Sequence, residues 1–308
     1  MQDIHIRLQN GEFDQVLFSL YGSAAEAQKQ KYAALADAFE GAFGECDDMF
    51  FFSAPGRSEI GGNHTDHQLG RVLAATVTVD TRAAVAKRND NIVRIHSQGY
   101  TPLCVSLDHL APDHAEENAS EALVRGIAER FTQTGRKVGG FDAVTASDVP
   151  KGSGLSSSAA FSILVCTIFS ELYNDGAISP VEQALASKYA ENKHFGKPSG
   201  LMDQLACAVG GFVAIDFEAP EEPKIEKIDC DLSALGYGIC IVNCGGNHAD
   251  LTHEYAAVAK DMGDVARYFG KSVLREVDEQ AFYEQLGQMR KTIPDRALLR
   301  AMHFFGDN

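Results

Sequence analysis

Residues 149–159 have the composition of a loop that binds phosphate groups. The segment reads Val-Pro-Lys-Gly-Ser-Gly-Leu-Ser-Ser-Ser-Ala, and apolar residues at helical spacing follow it. Gly152 and Gly154 let the backbone approach a ligand closely, and the start of the predicted helix offers N–H donors at the positive end of its dipole. The three hydroxyls at 156–158 can cap the helix, bind phosphate oxygens or reach a metal ion. This chemistry suits nucleotide phosphates. The same local pattern also fits a plain capped turn, and no Gly-Lys-[Ser/Thr] closes it as a Walker A loop.

A second polar cluster follows the apolar run Phe50–Phe52, which predicts a strand ending in a loop. Residues 54–67 read Ala-Pro-Gly-Arg-Ser-Glu-Ile-Gly-Gly-Asn-His-Thr-Asp-His. Loops carried on rigid strands concentrate binding residues, and the mixture of amide, imidazole and carboxylate suits a ligand with many hydroxyls, such as a sugar. The two histidines and Asp66 also have the types of metal ligands, but no third ligand motif accompanies them.

Composition and charge exclude several classes of protein. A chain of 308 residues with 45% hydrophobic residues is long enough for two domains with a substantial core. The net charge of −16 and the scattered basic residues argue against nucleic acid as a partner. The seven cysteines lack Cys-x-x-Cys spacing, which predicts buried thiols in a reducing compartment. With no signal peptide or membrane-spanning run visible, we expect a cytoplasmic protein that does not enter a membrane.

Apolar periodicity predicts an α+β fold. Predicted helices cover Phe13–Leu20, Ala24–Phe43, a segment around Leu123–Phe131, the segment after Ser158, the one that follows the capping box at Ser179, and most of the chain beyond residue 254. Predicted strands are Val72–Val79 and Thr81–Lys87 as a pair about Asp80, Ile92–His96, Phe141–Ser147, Phe212–Phe217 paired with Lys224–Ile228, and Tyr237–Val242.

In their order along the chain, these segments resemble the signatures of the GHMP small-molecule kinases, and specifically those of galactokinases. Residues 54–66 resemble the first signature of that family, and residues 150–159 resemble its ATP loop. The further segments that agree are Ala190-Glu191, Gly200 to Gln204, His248 to Tyr255, and Arg300 to His303. The resemblance therefore extends from about residue 50 to the end of the chain.

This resemblance implies a two-domain GHMP kinase architecture. An N-terminal ribosomal-protein-S5-like domain would cover residues 1–233, and a C-terminal ferredoxin-like domain would cover residues 234–308. The third signature of the family, a C-terminal glycine-rich loop, does not occur in the 308 residues. The second domain is therefore expected to be incomplete.

The resemblance also implies catalytic roles. Asp203 matches the aspartate that receives the proton of the attacking anomeric hydroxyl, and Arg57 matches the arginine expected beside it and the transferring phosphoryl group. A nearby guanidinium would keep Asp203 ionised and make it a weaker base. Without the motifs, Asp203 would be interpreted as an ordinary acid at a helix start and Arg57 as a surface ion-pair residue.

Ligand-binding roles follow in the same way. The residues expected to bind ATP are Pro150, Gly152, Ser153, Gly154, Leu155, Ser156, Ser157 and Ser158. Those expected to bind the sugar are Asn63, His64, Asp66, Gly200 and Tyr255. Ser158 and Glu191 would bind Mg²⁺ through hard oxygen ligands. The competing interpretations are a solvated helix-face charge for Glu191 and simple packing for Tyr255.

One substitution relative to the family bears on the substrate. Asn63 stands where galactokinases usually carry glutamate, at the position expected to contact the C6 hydroxyl of the sugar. An amide still hydrogen-bonds a hydroxyl but removes a negative charge, so a C6 carboxylate would be repelled less. Galacturonate or a substituted galactose therefore joins galactose as a candidate substrate.

Three function classes remain open. The first is an ATP-dependent sugar 1-kinase that acts on galactose or a close relative, as a monomer with only small-molecule partners. The second is a non-catalytic sugar or nucleotide sensor derived from the kinase fold. The intact 156–159 loop and Asp203 favour catalysis, whereas the missing third signature favours the sensor. The third class is a kinase for a smaller alcohol or an amino-acid hydroxyl, which the His64-Thr65-Asp66 cluster and Tyr255 argue against.

Overall fold

A computed structural model describes residues 4–232, 234–242 and 252–308 as a mixture of helices and strands. The helices are α1 (Ile4–Gln9), α2 (Asp14–Tyr21), α3 (Ala25–Phe43), α4 (Ser120–Gln133), α5 (Ser157–Asn174), α6 (Pro180–Ala190), α7 (Met202–Val209), α8 (Thr252–Tyr268), α9 (Glu279–Met289) and α10 (Asp295–Asp307). The strands are β1 (Met49–Gly61), β2 (Arg71–Lys87), β3 (Ile92–Ser97), β4 (Leu103–Ser106), β5 (Phe141–Ser147), β6 (Phe212–Asp216) and β7 (Lys224–Ile228).

The chain divides into two compact units, each built from separate stretches of sequence. The first unit comprises Met1–Gly56, Val77–Pro150 and Ser156–Ser199, and the second comprises Arg57–Thr76, Lys151–Leu155 and Gly200–Asn308. The domain boundary after residue 233 that the family resemblance implies stays a prediction.

The first unit combines a sheet with a helical core. Its strands lie in the order β4, β3, β5, β2, with β5 parallel to β3 and antiparallel to β2. Phe169 of α5 is fully buried, and its ring packs edge-on against Phe131 of α4 and Phe141 of β5, with centroid separations of 6.3 and 5.4 Å. Helix α5, which follows the glycine loop, is thus fixed to the sheet through its apolar side chains.

The second unit contains further strand pairings and a core of its own. The N-terminal part of β2 pairs antiparallel with β6, which pairs antiparallel with β7. Helices α8, α9 and α10 bury a separate apolar cluster that includes Val265, Phe282 and Phe304. The buried amide oxygen of Gln68 accepts the N–H of Leu274 at 3.0 Å, which ties the turn after β1 to the segment before α9.

Most elements predicted from periodicity are confirmed. Every predicted helix is present, and the capping box at the start of α6 forms as expected, with Ser179 and Glu182 each bonding to the backbone N–H of the other. The hairpin of β6 and β7 also forms as predicted. Helix α1 and strand β4 are short elements that the sequence analysis did not predict.

Two strand predictions in β1 and β2 were wrong. The strand at Phe50 continues to Gly61, so Arg57 lies on a strand and not in a loop. The predicted strand pair about Asp80 is one continuous strand, β2. Asp80 does not interrupt it because its buried carboxylate is paired, accepting hydrogen bonds from Arg82 at 2.8 Å and from Tyr21 at 2.5 Å.

The predicted strand Tyr237–Val242 is also wrong. These residues have no regular structure, and Tyr237 and Val242 are 71% and 78% exposed. No described strand pairs with them, and an apolar run without a ladder partner does not form a stable strand. His248, where one of the segments that resemble the family begins, lies outside the described residues.

Within residues 4–232, 234–242 and 252–308, no helix is both long enough and apolar enough to cross a membrane.

Substituting the central aromatic of the first unit should lower the stability of the fold. We expect Phe169→Ala to reduce the free energy of unfolding by about 3–5 kcal/mol, because it removes a buried ring and leaves a cavity between two others. The same substitution at Phe18, which is 67% exposed, is the matched control and should cost about 0.5 kcal/mol or less. Urea unfolding of both variants measures the difference, and equal losses would contradict the packing described for α5.

Candidate active site

Arg57 is a buried cation whose side chain is bonded in two directions. It lies near the end of β1 and is 5% exposed. Its Nε and Nη2 donate to Oδ1 of Asp203 at 2.9 and 2.5 Å, and its Nη1 donates to the carbonyl oxygen of Gly154 at 2.6 Å. The structure therefore brings the two predicted catalytic residues together and ties them to the predicted ATP loop.

The electrostatics of this pair keep Arg57 charged. Burial acts to lower the pKa of the Arg57 guanidinium, but the charge and hydrogen bond of the Asp203 carboxylate more than offset it, so the pKa is raised. The alternative interpretation of Arg57 as a surface ion-pair residue was wrong, since the guanidinium is inside the protein.

Asp203 is held at the beginning of a short helix by a residue distant in sequence. It is the second residue of α7, and its side chain is 26% exposed. The Oδ2 atom of Asp66 accepts the N–H groups of Leu201 and Met202 at 3.0 and 3.2 Å. Asp66 thus acts as a capping carboxylate at the start of α7. It satisfies two backbone N–H donors, and its negative charge interacts favourably with the positive end of the helix dipole.

Gly200 leaves the space that this contact needs. A Cβ atom at position 200 would lie 2.0 Å from Oδ2 of Asp66, far closer than any real contact. Both residues were predicted to bind the sugar. The structure shows that they touch each other and jointly fix the entry to α7.

The turn between β1 and β2 has an unusual backbone. Gly62, Asn63 and His64 all have positive φ angles, of 106°, 40° and 59°. Such angles are uncommon for residues with a side chain and are retained where the surroundings enforce them. Thr65 follows fully buried, and its hydroxyl donates to the carbonyl oxygen of Arg71 at 2.7 Å.

Side chains from this turn contact further carboxylates. Asn63 donates from Nδ2 to Oδ2 of Asp307 in α10 at 2.8 Å. The main-chain N–H of His64 donates to Oε1 of Glu59 at 2.8 Å. The imidazole of His64 lies between two carboxylates, with Nδ1 3.8 Å from Oδ1 of Asp66 and Nε2 3.9 Å from Oε2 of Glu59.

The pKa values of His64 and His67 are shifted in opposite directions. Burial acts to lower the pKa of His64, but the neighbouring carboxylates more than offset it, so that pKa is raised. Burial lowers the pKa of His67 despite the charge of Asp66. Burial likewise raises the pKa of Glu59, partly offset by the His64 N–H. His64 is therefore the member of the turn that favours the protonated form.

The glycine loop adopts the conformation that its small residues predict. Gly152, Gly154 and Ser156 have left-handed backbones, with φ of 67°, 77° and 58°. Leu155 is buried, and its carbonyl oxygen accepts the N–H of Arg57 at 3.1 Å. The other loop residues, Pro150, Gly152, Ser153, Gly154, Ser156, Ser157 and Ser158, are exposed or half-buried, as residues that meet a ligand must be. Helix α5 starts at residue 157 with no acidic side chain in its first turn, which keeps that end favourable to anions.

The predicted magnesium ligands lie in the first unit. Ser158 is half-buried in the first turn of α5. Glu191 opens a π-helical turn (Glu191–Phe195) after α6 and is only 2% exposed, so its interpretation as a solvated helix-face charge was wrong. Its Oε1 lies 3.8 Å from Nζ of Lys197.

The donor set of these two residues fits Mg²⁺. A hydroxyl and a carboxylate are hard oxygen ligands, and Mg²⁺ usually needs only one or two protein ligands together with phosphate oxygens and water. Among the residues that the structure describes, no group of three or more His, Cys, Asp or Glu side chains could hold a metal by itself. Tyr255 lies on α8, and its side chain is outside what the structure describes.

Glu59 and Asp307 had no role predicted from the sequence, and only Glu59 left a signal there, as a member of the polar cluster at 54–67. Glu59 lies two positions after Arg57, which places both on one face of a strand; the mistaken loop assignment hid this. Asp307 approaches Asn63 from a helix 244 positions away. No spacing in the sequence indicates that contact.

Comparison with known proteins identifies the family. Residues 122–211 match the GHMP kinases N terminal domain, and residues 37–87 match the galactokinase galactose-binding signature. A galactokinase of Glaesserella parasuis serovar 5 is 31% identical over 283 residues, covering 88% of this chain and 69% of that relative. The chain belongs to the galactokinase group of the GHMP kinase family.

A second relative agrees with this assignment, and a solved structure agrees with the fold. A galactokinase of Actinobacillus pleuropneumoniae is 30% identical over 265 residues, covering 83% of this chain and 65% of that relative. The crystal structure of Lactococcus lactis galactokinase complexed with galactose superposes with a TM-score of 0.73 at 20% identity, covering 90% of this chain and 71% of that one. The predicted α+β GHMP kinase fold is therefore confirmed. The chain spans 65–69% of the length of the two curated relatives.

A side chain at position 200 should disrupt the start of α7. We expect Gly200→Ala to lower the free energy of unfolding by about 2–3 kcal/mol, because the new Cβ displaces Asp66 from the N–H groups it accepts. Gly287→Ala in α9 is the matched control. Its Cβ would meet no atom within 4 Å, and the helix should gain about 0.5–1 kcal/mol. Chemical unfolding tests both, and an unchanged Gly200→Ala variant would show that Asp66 is not fixed there.

Proposed function

We propose that this protein transfers the γ-phosphoryl group of ATP to the anomeric hydroxyl of galactose or a close relative, forming the sugar 1-phosphate. The observation that carries the proposal is the bonded set of Arg57, Asp203 and Gly154. It joins a carboxylate, a buried cation and a phosphate-type loop within one unit. Membership of the galactokinase group supports the choice of sugar and nucleotide.

In the proposed reaction the protein forms no covalent intermediate, and it acts by positioning the substrates and stabilising charge. The anomeric oxygen attacks the γ-phosphorus, the bond to the β,γ-bridging oxygen breaks, and ADP leaves. Asp203 accepts the proton of the attacking hydroxyl. Arg57 contributes positive charge beside the phosphoryl oxygens as the transition state forms.

The proposed nucleotide site uses the glycine loop and the start of α5. Backbone N–H groups at residues 152–158 and the helix dipole would bind the phosphates in a chain whose net charge is −16. Mg²⁺, when bound by Ser158 and Glu191, would supply charge that neutralises the β- and γ-phosphate oxygens.

The proposed sugar site uses Asn63, His64, Asp66, Gly200 and Tyr255. The two carboxylate oxygens of Asp66 have different partners. Oδ2 accepts two backbone N–H groups, whereas Oδ1 lies on the side of His64. Donors and acceptors therefore alternate across the turn, which suits adjacent hydroxyls of a pyranose.

The charge beside Asn63 favours a neutral sugar. Asn63 itself is uncharged, but it donates to the Asp307 carboxylate at 2.8 Å, so negative charge is present at this position after all. A C6 carboxylate would be repelled by it, whereas a C6 hydroxyl would not.

A substrate panel tests this preference. We expect turnover with galactose to exceed turnover with galacturonate in the wild-type protein, and Asp307→Asn to raise the relative rate with galacturonate about threefold to tenfold, because it removes one partly exposed charge. A ratio of the two rates that is the same in both proteins would contradict the assignment of this charge to substrate selection.

The sensor alternative makes a different prediction for Asp203. We expect sugar-dependent ADP release by the wild-type protein, and a loss of at least about 100-fold in kcat for Asp203→Asn, because an amide cannot accept the proton. Asp229→Asn removes an exposed carboxylate of the same unit and should leave the rate unchanged. Calorimetric binding of galactose without turnover by the wild-type protein would support the sensor and contradict the kinase.

A further inference from the structure

Glu59 is a half-buried acid that the proposed phosphoryl transfer does not use. It lies two residues after Arg57 on β1, and its side chain is 13% exposed. Carboxylates with so little exposure are usually paired or have a function. The hydrogen bond and the ion-pair contact given for Glu59 among the described residues are both with His64.

The first contact fixes the main chain of His64. Oε1 of Glu59 accepts the His64 N–H at 2.8 Å, and His64 has a φ of 59°. A left-handed backbone is unfavourable for a residue with a side chain and is retained when tertiary contacts enforce it. Glu59 supplies such a contact at the residue where the turn after β1 changes direction.

The second contact acts on the imidazole. Oε2 of Glu59 faces Nε2 of His64 at 3.9 Å, while Oδ1 of Asp66 faces Nδ1 at 3.8 Å. With a carboxylate beside each ring nitrogen, both nitrogens are favoured as N–H donors. Of the other described groups, Asp203 favours the imidazolium, and His67 opposes it when charged.

We propose that Glu59 is a positioning residue for the sugar, which sets the backbone of His64 and holds its imidazole in the doubly protonated, donor-only form. This inference rests on the proposed function for the identity of the ligand. An imidazolium donates hydrogen bonds and accepts none, so it recognises an oxygen lone pair of the sugar. Asp66 is an acceptor in the same turn, and His64 adds a charged donor beside it.

The inference predicts a specific dependence on pH. The carboxylates raise the pKa of His64, so the imidazolium persists to higher pH than an ordinary histidine would allow. As pH rises through this raised pKa, the donor is lost and the KM for the sugar should increase. Removing the Glu59 charge should move that increase to lower pH.

The central experiment compares three substitutions. Glu59→Gln keeps an oxygen that can accept the His64 N–H but removes the charge, whereas Glu59→Ala removes both. Glu221→Gln removes an exposed charge of the same unit and is the control. Steady-state kinetics with galactose and saturating ATP, from about pH 5.5 to 9, gives KM and kcat separately across the range where histidine titrates.

Between the His64 titration midpoint of Glu59→Gln and that of the wild type, His64 is charged only in the wild type. In this pH range we expect Glu59→Gln to raise KM by about tenfold, because one charge-assisted contact to the sugar is lost. The kcat should change by about twofold or less. The KM values of Glu59→Gln and the wild type should converge at the acidic end, where His64 is charged in both. Glu59→Ala should raise KM at every pH. A KM profile of Glu59→Gln parallel to the wild type at all pH values would overturn the proposal.

A second readout does not depend on activity. The titration of His64 can be followed by NMR of the imidazole C–H signal, assigned among the ten histidines by its loss in His64→Asn. We expect a lower midpoint in Glu59→Gln than in the wild type and no change in Glu221→Gln. If the midpoint shifts but no sugar is phosphorylated, the proposed function fails while the electrostatic role of Glu59 stands. An unshifted midpoint rejects that role even in an active enzyme.

Discussion

A buried guanidinium needs compensation for the water it has lost, and this requirement organises the second unit. Arg57 is 5% exposed, so it is stable only while its charge and N–H groups are paired. One partner is the carboxylate of Asp203, and the other is the carbonyl oxygen of Gly154. Removing either partner leaves a buried cation or donor unsatisfied. The position of the catalytic candidate and that of the glycine loop are therefore coupled through one side chain.

Carboxylates position the rest of the site through backbone N–H groups. Asp66 accepts two of them at the start of α7, and Glu59 accepts one at His64. In both places the acid compensates for something the backbone cannot satisfy alone, the open end of a helix in one case and a left-handed residue in the other. Asp66 and Glu59 therefore stabilise the backbone of the site independently of any contact with a ligand.

The net negative charge of the chain affects how the proposed site would bind charged ligands. With a net charge of −16, the protein gives no general attraction to a polyphosphate. The proposed nucleotide site would therefore depend on local dipoles, such as the first turn of α5, and on fixed cations such as Arg57. Asp307 adds negative charge beside Asn63, the position at which this chain departs from the glutamate usual in the family. In the proposed sugar site, this charge would favour a neutral acceptor.

Much of the fold and part of the site follow from local sequence patterns. Helix α5 could be predicted because apolar residues recur at helical spacing, and the capping box at Ser179 and Glu182 because it needs only neighbours in sequence. The ordered motifs indicated the family and singled out Arg57 and Asp203. By contrast, the break expected at Asp80 failed because burial of an acid depends on partners elsewhere, here Arg82 and Tyr21. The strand expected at 237–242 failed because a strand needs a neighbour.

The sequence by itself determined which chemical groups this protein has and which local elements carry them, because helical periodicity, capping residues and glycine turns act over a few neighbouring positions. Only the tertiary structure decided which of those groups meet. Asp66 reaches α7 across 135 positions, Arg57 reaches Asp203 across 146, and Asp307 reaches Asn63 across 244. Electrostatic compensation acts through distance in space, so a buried charge finds its partner wherever the fold brings one within hydrogen-bonding distance.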